Sequence, residues 1–125
     1  MTQADRWIAV VDDEASVRVA LGRLVRLAGF KFAAFASGEE FLSSLAERVP
    51  DCVILDVHMP RLSGLDVQLR LHEGNVALPI VFITASDDVA LGRTALEAGA
   101  VRLLRKPFSN DDLLEAIDAA LGSAA

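Results

Sequence analysis

The sequence predicts an α/β domain: a doubly wound, five-stranded parallel sheet packed against five helices. Three observations carry this prediction. Five short apolar runs, at residues 7–11, 30–35, 52–55, 80–83 and 101–104, alternate with stretches of helical character, which is the pattern of repeated βα units. Three of the runs contain an unbroken apolar core, as strands covered on both faces require. Serine stands three residues ahead of an acid at Ser37, Ser63 and Ser109, an interval that marks helix starts.

In chain order, Ile8-Ala9-Val10-Val11 makes the first strand central. In the helix after it, Val17, Leu21, Leu24 and Ala28 fall on one face, with Arg18, Arg23 and Arg26 turned elsewhere. Lys31 interrupts the second run, and charge on a strand blunts a sheet edge. Ser37-Gly38-Glu39-Glu40 opens the second helix. Cys52-Val53-Ile54-Leu55 is central again, and Ser63 with Asp66 opens the third helix. Ile80-Val81-Phe82-Ile83 is the third central strand. Residues 87–98 follow, where Val89, Leu91, Ala95, Leu96 and Ala98 spread apolar character around much of a helix and leave surface for a partner. Arg102 and Arg105 bracket the fifth strand, so strands two and five are the predicted edges. Ser109 with Asp112 opens the last helix, whose predicted inner face is Leu114, Ile117 and Leu121.

At 125 residues the chain is expected to be one domain, residues 1–125. Apolar residues make up 53% of it and mean hydropathy is +0.40, yet no apolar run approaches the ~18 residues of a membrane span. The opening six residues lack the basic start and apolar stretch of a signal peptide, and Cys52 is the single cysteine. Together these predict a cytoplasmic protein without a membrane segment. A net charge of −6 and a pI near 4.8 argue against direct nucleic-acid binding. A tail of small residues, 122–125, closes the chain.

Parallel βα units bring every strand's C-terminal end to one side of the sheet, where ligands of open α/β folds bind. The first strand ends in Asp12-Asp13, the third in Asp56 and the fourth in Thr84, and Lys106-Pro107 follows the fifth at once. Two unit charges ~4 Å apart interact by about 4 kcal/mol at an effective dielectric near 20, so three carboxylates gathered there require a cation. Oxygen ligands with room for water suit Mg²⁺. Lys106 can pair with Asp56 in an empty site and with a phosphoryl oxygen in a filled one. Thr84 supplies a hydroxyl donor, and an Asp carboxylate is a known covalent acceptor of phosphoryl groups. Each residue taken singly has a plainer explanation: Asp12-Asp13-Glu14 as a helix lead-in, Asp56 before Pro60 as turn chemistry, Thr84 as a strand former. Their joint placement is what points to a site.

Asp12-Asp13, Asp56 with Met59-Pro60 and Gly64 following, Thr84-Ala85, and Lys106-Pro107-Phe108 together resemble the receiver domain of bacterial two-component response regulators. The match covers essentially the whole chain. The wording of Ser37-Gly38-Glu39-Glu40-Phe41-Leu42, Phe82-Ile83-Thr84-Ala85 and Ala98-Gly99-Ala100-Val101 most resembles receivers that precede a LuxR-type helix-turn-helix. The resemblance implies a flavodoxin-like sheet in the order 2-1-3-4-5. It implies that Asp56 takes a phosphoryl group from a phosphohistidine of a sensor histidine kinase, and that Asp13 and Asp56 bind Mg²⁺ directly. Asp12 then acts through a bound water, the backbone carbonyl of His58 is a further ligand, and Thr84 and Lys106 hold the phosphoryl oxygens. Also implied are a cis Lys106-Pro107 peptide and slow self-dephosphorylation by a signalling phosphoacceptor rather than a turnover enzyme. The surface of the fourth helix, fifth strand and fifth helix would switch. The downstream partner is a protein or a DNA-binding domain outside this chain, with a phosphorylation-dependent homodimer as a further expectation.

One position departs from the family pattern. Receivers usually carry Phe or Tyr three residues before the lysine, and here that position is Leu103. A haloacid-dehalogenase-like phosphohydrolase is the rival, since it also combines an Asp nucleophile, Mg²⁺, Thr or Ser, and Lys. That family places the nucleophile on its first strand with a second acid two residues on, whereas Asp56 is followed at that distance by His58. A phosphorylation-independent binding module on the same fold fits the complete acidic and lysine set less well. His72 is expected on a surface helix, Cys52 in the core, Trp7 in packing, and the His58 side chain at the site entrance.

Overall fold

The computed structural model describes residues 5–123. Residues 1–4 and the final pair Ala124-Ala125 lie outside the described residues, and with them part of the N-terminal and tail readings. The elements alternate strictly: β1 (Trp7–Val11), α1 (Ala15–Leu27), β2 (Lys31–Phe35), α2 (Gly38–Ser44), β3 (Cys52–Asp56), α3 (Gly64–Glu73), β4 (Ile80–Thr84), α4 (Val89–Glu97), β5 (Arg102–Arg105) and α5 (Asn110–Ser123). All four strand pairings are parallel, in the order β2-β1-β3-β4-β5. Among the described residues no helix is long and apolar enough to cross a membrane.

Burial follows the strand composition. Every residue of β1, β3 and β4 is buried, whereas β2 and β5 are partly exposed, with Lys31, Arg102 and Arg105 facing solvent at the edges. Because successive strand side chains alternate in direction, the central strands feed two cores. Trp7, Ala9 and Val11 join Val53, Leu55, Ile80 and Phe82 under Phe41 of α2, Val67 and Leu71 of α3 and Ala95 of α4. Ile8 and Val10 join Ile54, Val81 and Ile83 under Leu21 and Val25 of α1 and Leu113 and Ile117 of α5. Cys52 is buried in this second core, as expected. Trp7 lies in the first, with the Arg48 guanidinium 4.5 Å over its ring.

The serine caps form as the spacing predicts, with one variation. Ser63 Oγ accepts from Asp66 N (3.1 Å) while Asp66 Oδ2 accepts from Ser63 N (3.0 Å), a reciprocal capping box. Ser37 Oγ likewise accepts from Glu40 N, but Glu40 reaches back one residue further and accepts from Ala36 N. Ser109 Oγ accepts from Asp112 N at 3.0 Å. Asp88 caps α4 through Leu91 N.

Two expectations need correction. Strand β1 stops at Val11, short of Asp12 and Asp13, whereas β3 and β4 end in Asp56 and Thr84 as expected, pairing inside the ladder opposite Ile83 and Arg105. The backbone keeps its sheet bonds after the side-chain chemistry has changed. On α5 the core residue is Leu113, not Leu114, which is only half-buried. Leu113, Ala116, Ile117, Ala120 and Leu121 form a stripe at intervals of three and four, and Leu114 sits at its margin. Small Ala116 and Ala120, both fully buried, mark where the helix lies against the sheet. Accordingly, Leu113→Ala is expected to cost about 2–5 kcal/mol in chemical denaturation, against less than about 1 kcal/mol for Leu114→Ala. Equal losses would place both leucines in the core.

Candidate functional site

Asp12 follows the last residue of β1 and is completely buried. Four interactions hold it. Its N–H donates to the Phe35 carbonyl (3.2 Å), and its own carbonyl accepts from Arg18 Nη1 (2.7 Å). Its Oδ1 accepts from Glu14 N (2.9 Å), and its Oδ2 is 3.2 Å from Lys106 Nζ. Asp13, next in the chain, is exposed. Asp56 at the end of β3 is 4% exposed, and its Oδ1 accepts from His58 N at 3.3 Å. One ligand oxygen from each of Asp12, Asp13 and Asp56 can be chosen so that all three lie within 4.8 Å of one another. This is the convergence expected from three carboxylates at the strand ends.

Lys106 reaches the cluster but pairs with Asp12 rather than with Asp56 as expected. Asp12 has no contact with solvent, and a buried carboxylate without a cation is very costly. The ammonium still acts on Asp56, whose carboxyl is pushed up from 3.8 to about 6. Burial is the largest cause; the Asp12 charge adds to it and Asp13 does so weakly, while Lys106 and the His58 N–H pull the other way.

Thr84 ends β4 almost fully buried. Its Oγ1 accepts from Ser86 N (3.0 Å), which leaves its own O–H to donate, and its carbonyl accepts from Lys106 N (2.8 Å). The Lys106-Pro107 peptide is cis, as the resemblance implies. Gly64 keeps the wall beside Asp56 tight: a Cβ there would collide with the Asp56 carbonyl oxygen and lie 2.9 Å from Val57 Cα. The structure thus brings Asp12, Asp13, Asp56 and Lys106 together and sets Thr84 on the adjoining strand end.

His58 is exposed just beyond Asp56, and His72 is exposed on α3, away from the cluster. The Cys52 thiol is pushed up to about 12, chiefly by burial and then by Asp51, and lies outside the cluster. Leu103, at the position where the family carries an aromatic ring, is half-buried and packs against the first core. Arg18 was not among the residues assigned to the site from sequence. Its only sequence signal is position: it lies six residues after Asp12, within reach of the turn's backbone.

The family model for the response regulator receiver domain matches residues 8–118. The chain belongs to this family. It is 41% identical over 121 residues to the response regulator protein TmoT of Ectopseudomonas mendocina, covering 97% of this chain and 55% of that protein. It is 42% identical over 113 residues to nodulation protein W of Bradyrhizobium diazoefficiens, covering 90% of this chain and 50% of the relative. The receiver therefore spans about half the length of the curated relatives it matches. Among solved structures it is similar to FixJ-N, with a TM-score of 0.89 at 31% identity over 98% of this chain and 96% of the other. It is also similar to a receiver protein of Burkholderia phymatum, with a TM-score of 0.83 at 45% identity over 94% and 96%. These relations give the receiver a signalling role in two-component systems, and they do not favour the phosphohydrolase alternative.

The raised Asp56 value has a direct consequence for stability. Between pH 3.8 and about 6 the folded receiver keeps a proton on Asp56 that the unfolded chain has released. The resulting stabilisation is complete below pH 3.8 and is lost as pH rises through about 6. Ionised Asp56 then weakens the fold by an amount on the order of 3 kcal/mol. In Mg²⁺-free buffer Asp56→Asn is expected to raise the denaturation midpoint above pH 7 and to change it little near pH 4. A variant no more stable than wild type at pH 7.5 would contradict the burial of this charge.

Proposed function

We propose that residues 1–125 form one phosphoacceptor unit in which Asp56 takes a phosphoryl group from a phosphohistidine of a sensor histidine kinase. The observation that carries this is the carboxylate cluster of Asp12, Asp13 and Asp56 with the Lys106 ammonium against it. An oxygen-only, partly exposed donor set fits Mg²⁺. Asp13 and Asp56 would hold the ion directly, with the backbone carbonyl of His58. Both oxygens of Asp12 already accept protein donors, which suits a role through bound water. When bound, Mg²⁺ supplies charge compensation for the phosphoryl oxygens.

The chain's own residues do the rest. Above about pH 6 the Asp56 carboxylate is ionised and presents an oxygen that attacks phosphorus in line. The phosphorus–nitrogen bond breaks, its electron pair leaves with the imidazole, and an acyl phosphate forms on Asp56. Lys106 and the Thr84 hydroxyl are the donors available to the transferred oxygens. Water later attacks the same phosphorus, the acyl oxygen leaves, and the carboxylate is restored, so the receiver is also a slow self-phosphatase. The His58 side chain, exposed two residues past Asp56, would tune that hydrolysis.

Occupied Asp56 would switch the surface of α4, β5 and α5. Moving a population from 1:99 to 99:1 requires contacts that favour the active state by about 5.5 kcal/mol. That surface would serve a phosphorylation-dependent homodimer and an output outside this chain, of the LuxR-type helix-turn-helix class, in a cytoplasmic protein. Incubation with a small acyl phosphate and Mg²⁺, followed by intact mass and light scattering, tests the chemistry and the assembly together. Wild type is expected to gain one phosphoryl group only when Mg²⁺ is present, and Asp56→Asn none. Sustained turnover of a phosphate monoester would favour a hydrolase instead.

A further inference from the structure

We infer that Arg18 is a positioning residue for the cation-binding turn: its guanidinium anchors the Asp12 carbonyl and so sets the direction from which Asp13 faces the cluster. This role presupposes the divalent-cation reading of the cluster. Arg18 is half-buried in the opening turn of α1, with Nη1 2.7 Å from the Asp12 carbonyl oxygen. Asp12 uses its other groups on Phe35, Glu14 and Lys106, so Arg18 completes the fixation of the Asp12–Asp13 peptide. Asp13 itself is exposed and makes no side-chain hydrogen bond or ion pair among the described residues. Its carboxylate is therefore oriented through the peptide that precedes it, and Arg18 holds that peptide's oxygen.

Charge and geometry make opposite predictions here, which makes the role testable. A positive charge beside three carboxylates would by itself weaken cation binding, and its removal would tighten it. An anchor that orients a ligand has the reverse effect, since loss of such outer partners commonly weakens metal affinity by about 10–100-fold. Arg18 forms no ion pair with any carboxylate of the cluster among the described residues. Its donor is spent on a carbonyl, and anchoring is the dominant effect.

The test is calorimetric titration of Mg²⁺ into the intact metal-free chain at fixed ionic strength, without phosphodonor, together with the thermal midpoint of each metal-free variant. Arg18→Ala is expected to bind about tenfold more weakly. Arg18→Lys, which keeps a charged donor of similar reach, is expected to bind close to wild type. Unchanged or tighter binding by Arg18→Ala overturns the role, and so does an equal loss in Arg18→Lys. A lowered midpoint with unchanged affinity also overturns it, leaving Arg18 as a helix contact. If wild type itself binds no Mg²⁺, the cation-site reading fails and this inference with it.

Discussion

Mutual repulsion among Asp12, Asp13 and Asp56 is the constraint from which the rest of the site follows. The parallel sheet forces these acids to one edge, because β1 and β3 are adjacent and end together: Val11 pairs with Leu55, and Asp12 and Asp56 are the next residues out. Nothing in the hydrophobic cores favours that meeting of charges. Burying two of the three makes it worse, as the upward displacement of Asp56 records. The fold tolerates it by giving the fully buried carboxylate one backbone donor, Glu14 N, and an ammonium, and by leaving Asp13 in water. Such a site lies poised to accept positive charge, because each cation admitted relieves repulsion that the backbone has already imposed.

The cores make that imposition rigid. Side chains on either side of Asp56, Leu55 and Val57, are fully or nearly fully buried, and Val57 N bonds to the Ile83 carbonyl. Gly64 N closes back onto the Val57 carbonyl at 2.9 Å, so the turn after Asp56 is folded against its own strand and then capped by Ser63. Asp56 cannot withdraw from Asp12 without dismantling β3 pairing or the start of α3. Its environment is therefore a property of the sheet rather than of a flexible loop.

Most of the architecture was legible in the sequence because one signal dominates it. Unbroken apolar runs identify β1, β3 and β4 as central strands and charged residues identify the edges; the order of the central strands is implied only by the family resemblance. The site acids were legible for the same reason, since Asp12-Asp13 and Asp56 are where polar residues first interrupt the buried apolar runs of β1 and β3. What escaped is whatever depends on three-dimensional partner choice. The pairing of Lys106 with Asp12 instead of Asp56 depends on a difference in enclosure between two neighbouring carboxylates, which spacing does not encode. The part played by Arg18 is a side chain on a helix reaching a main-chain carbonyl, and any arginine in an amphipathic pattern reads as solvated. Leu113 and Leu114 are adjacent leucines, and only the rotation of α5 on the sheet distinguishes them.

The same logic bears on how a change at Asp56 can reach the helix beyond β4. Thr84 Oγ1 accepts from Ser86 N, Ser86 Oγ accepts from Asp88 N, and Asp88 Oδ1 accepts from Leu91 N, which caps α4. These three bonds form an unbroken chain from the end of β4 to the first turn of α4. Thr84 can donate its O–H toward a group on Asp56 while Oγ1 keeps the bond from Ser86 N; a rotation that broke that bond would free the segment carrying Ser86 and Asp88 from the strand. Leu91 sits at the far end of that chain and packs with Leu103 against the first core. A branched aliphatic side chain offers no flat ring to swing between two positions, so coupling through Leu103 has to be a shift in packing. The hydrogen-bonded cap, not a flat ring, is what links Thr84 to α4 in this structure.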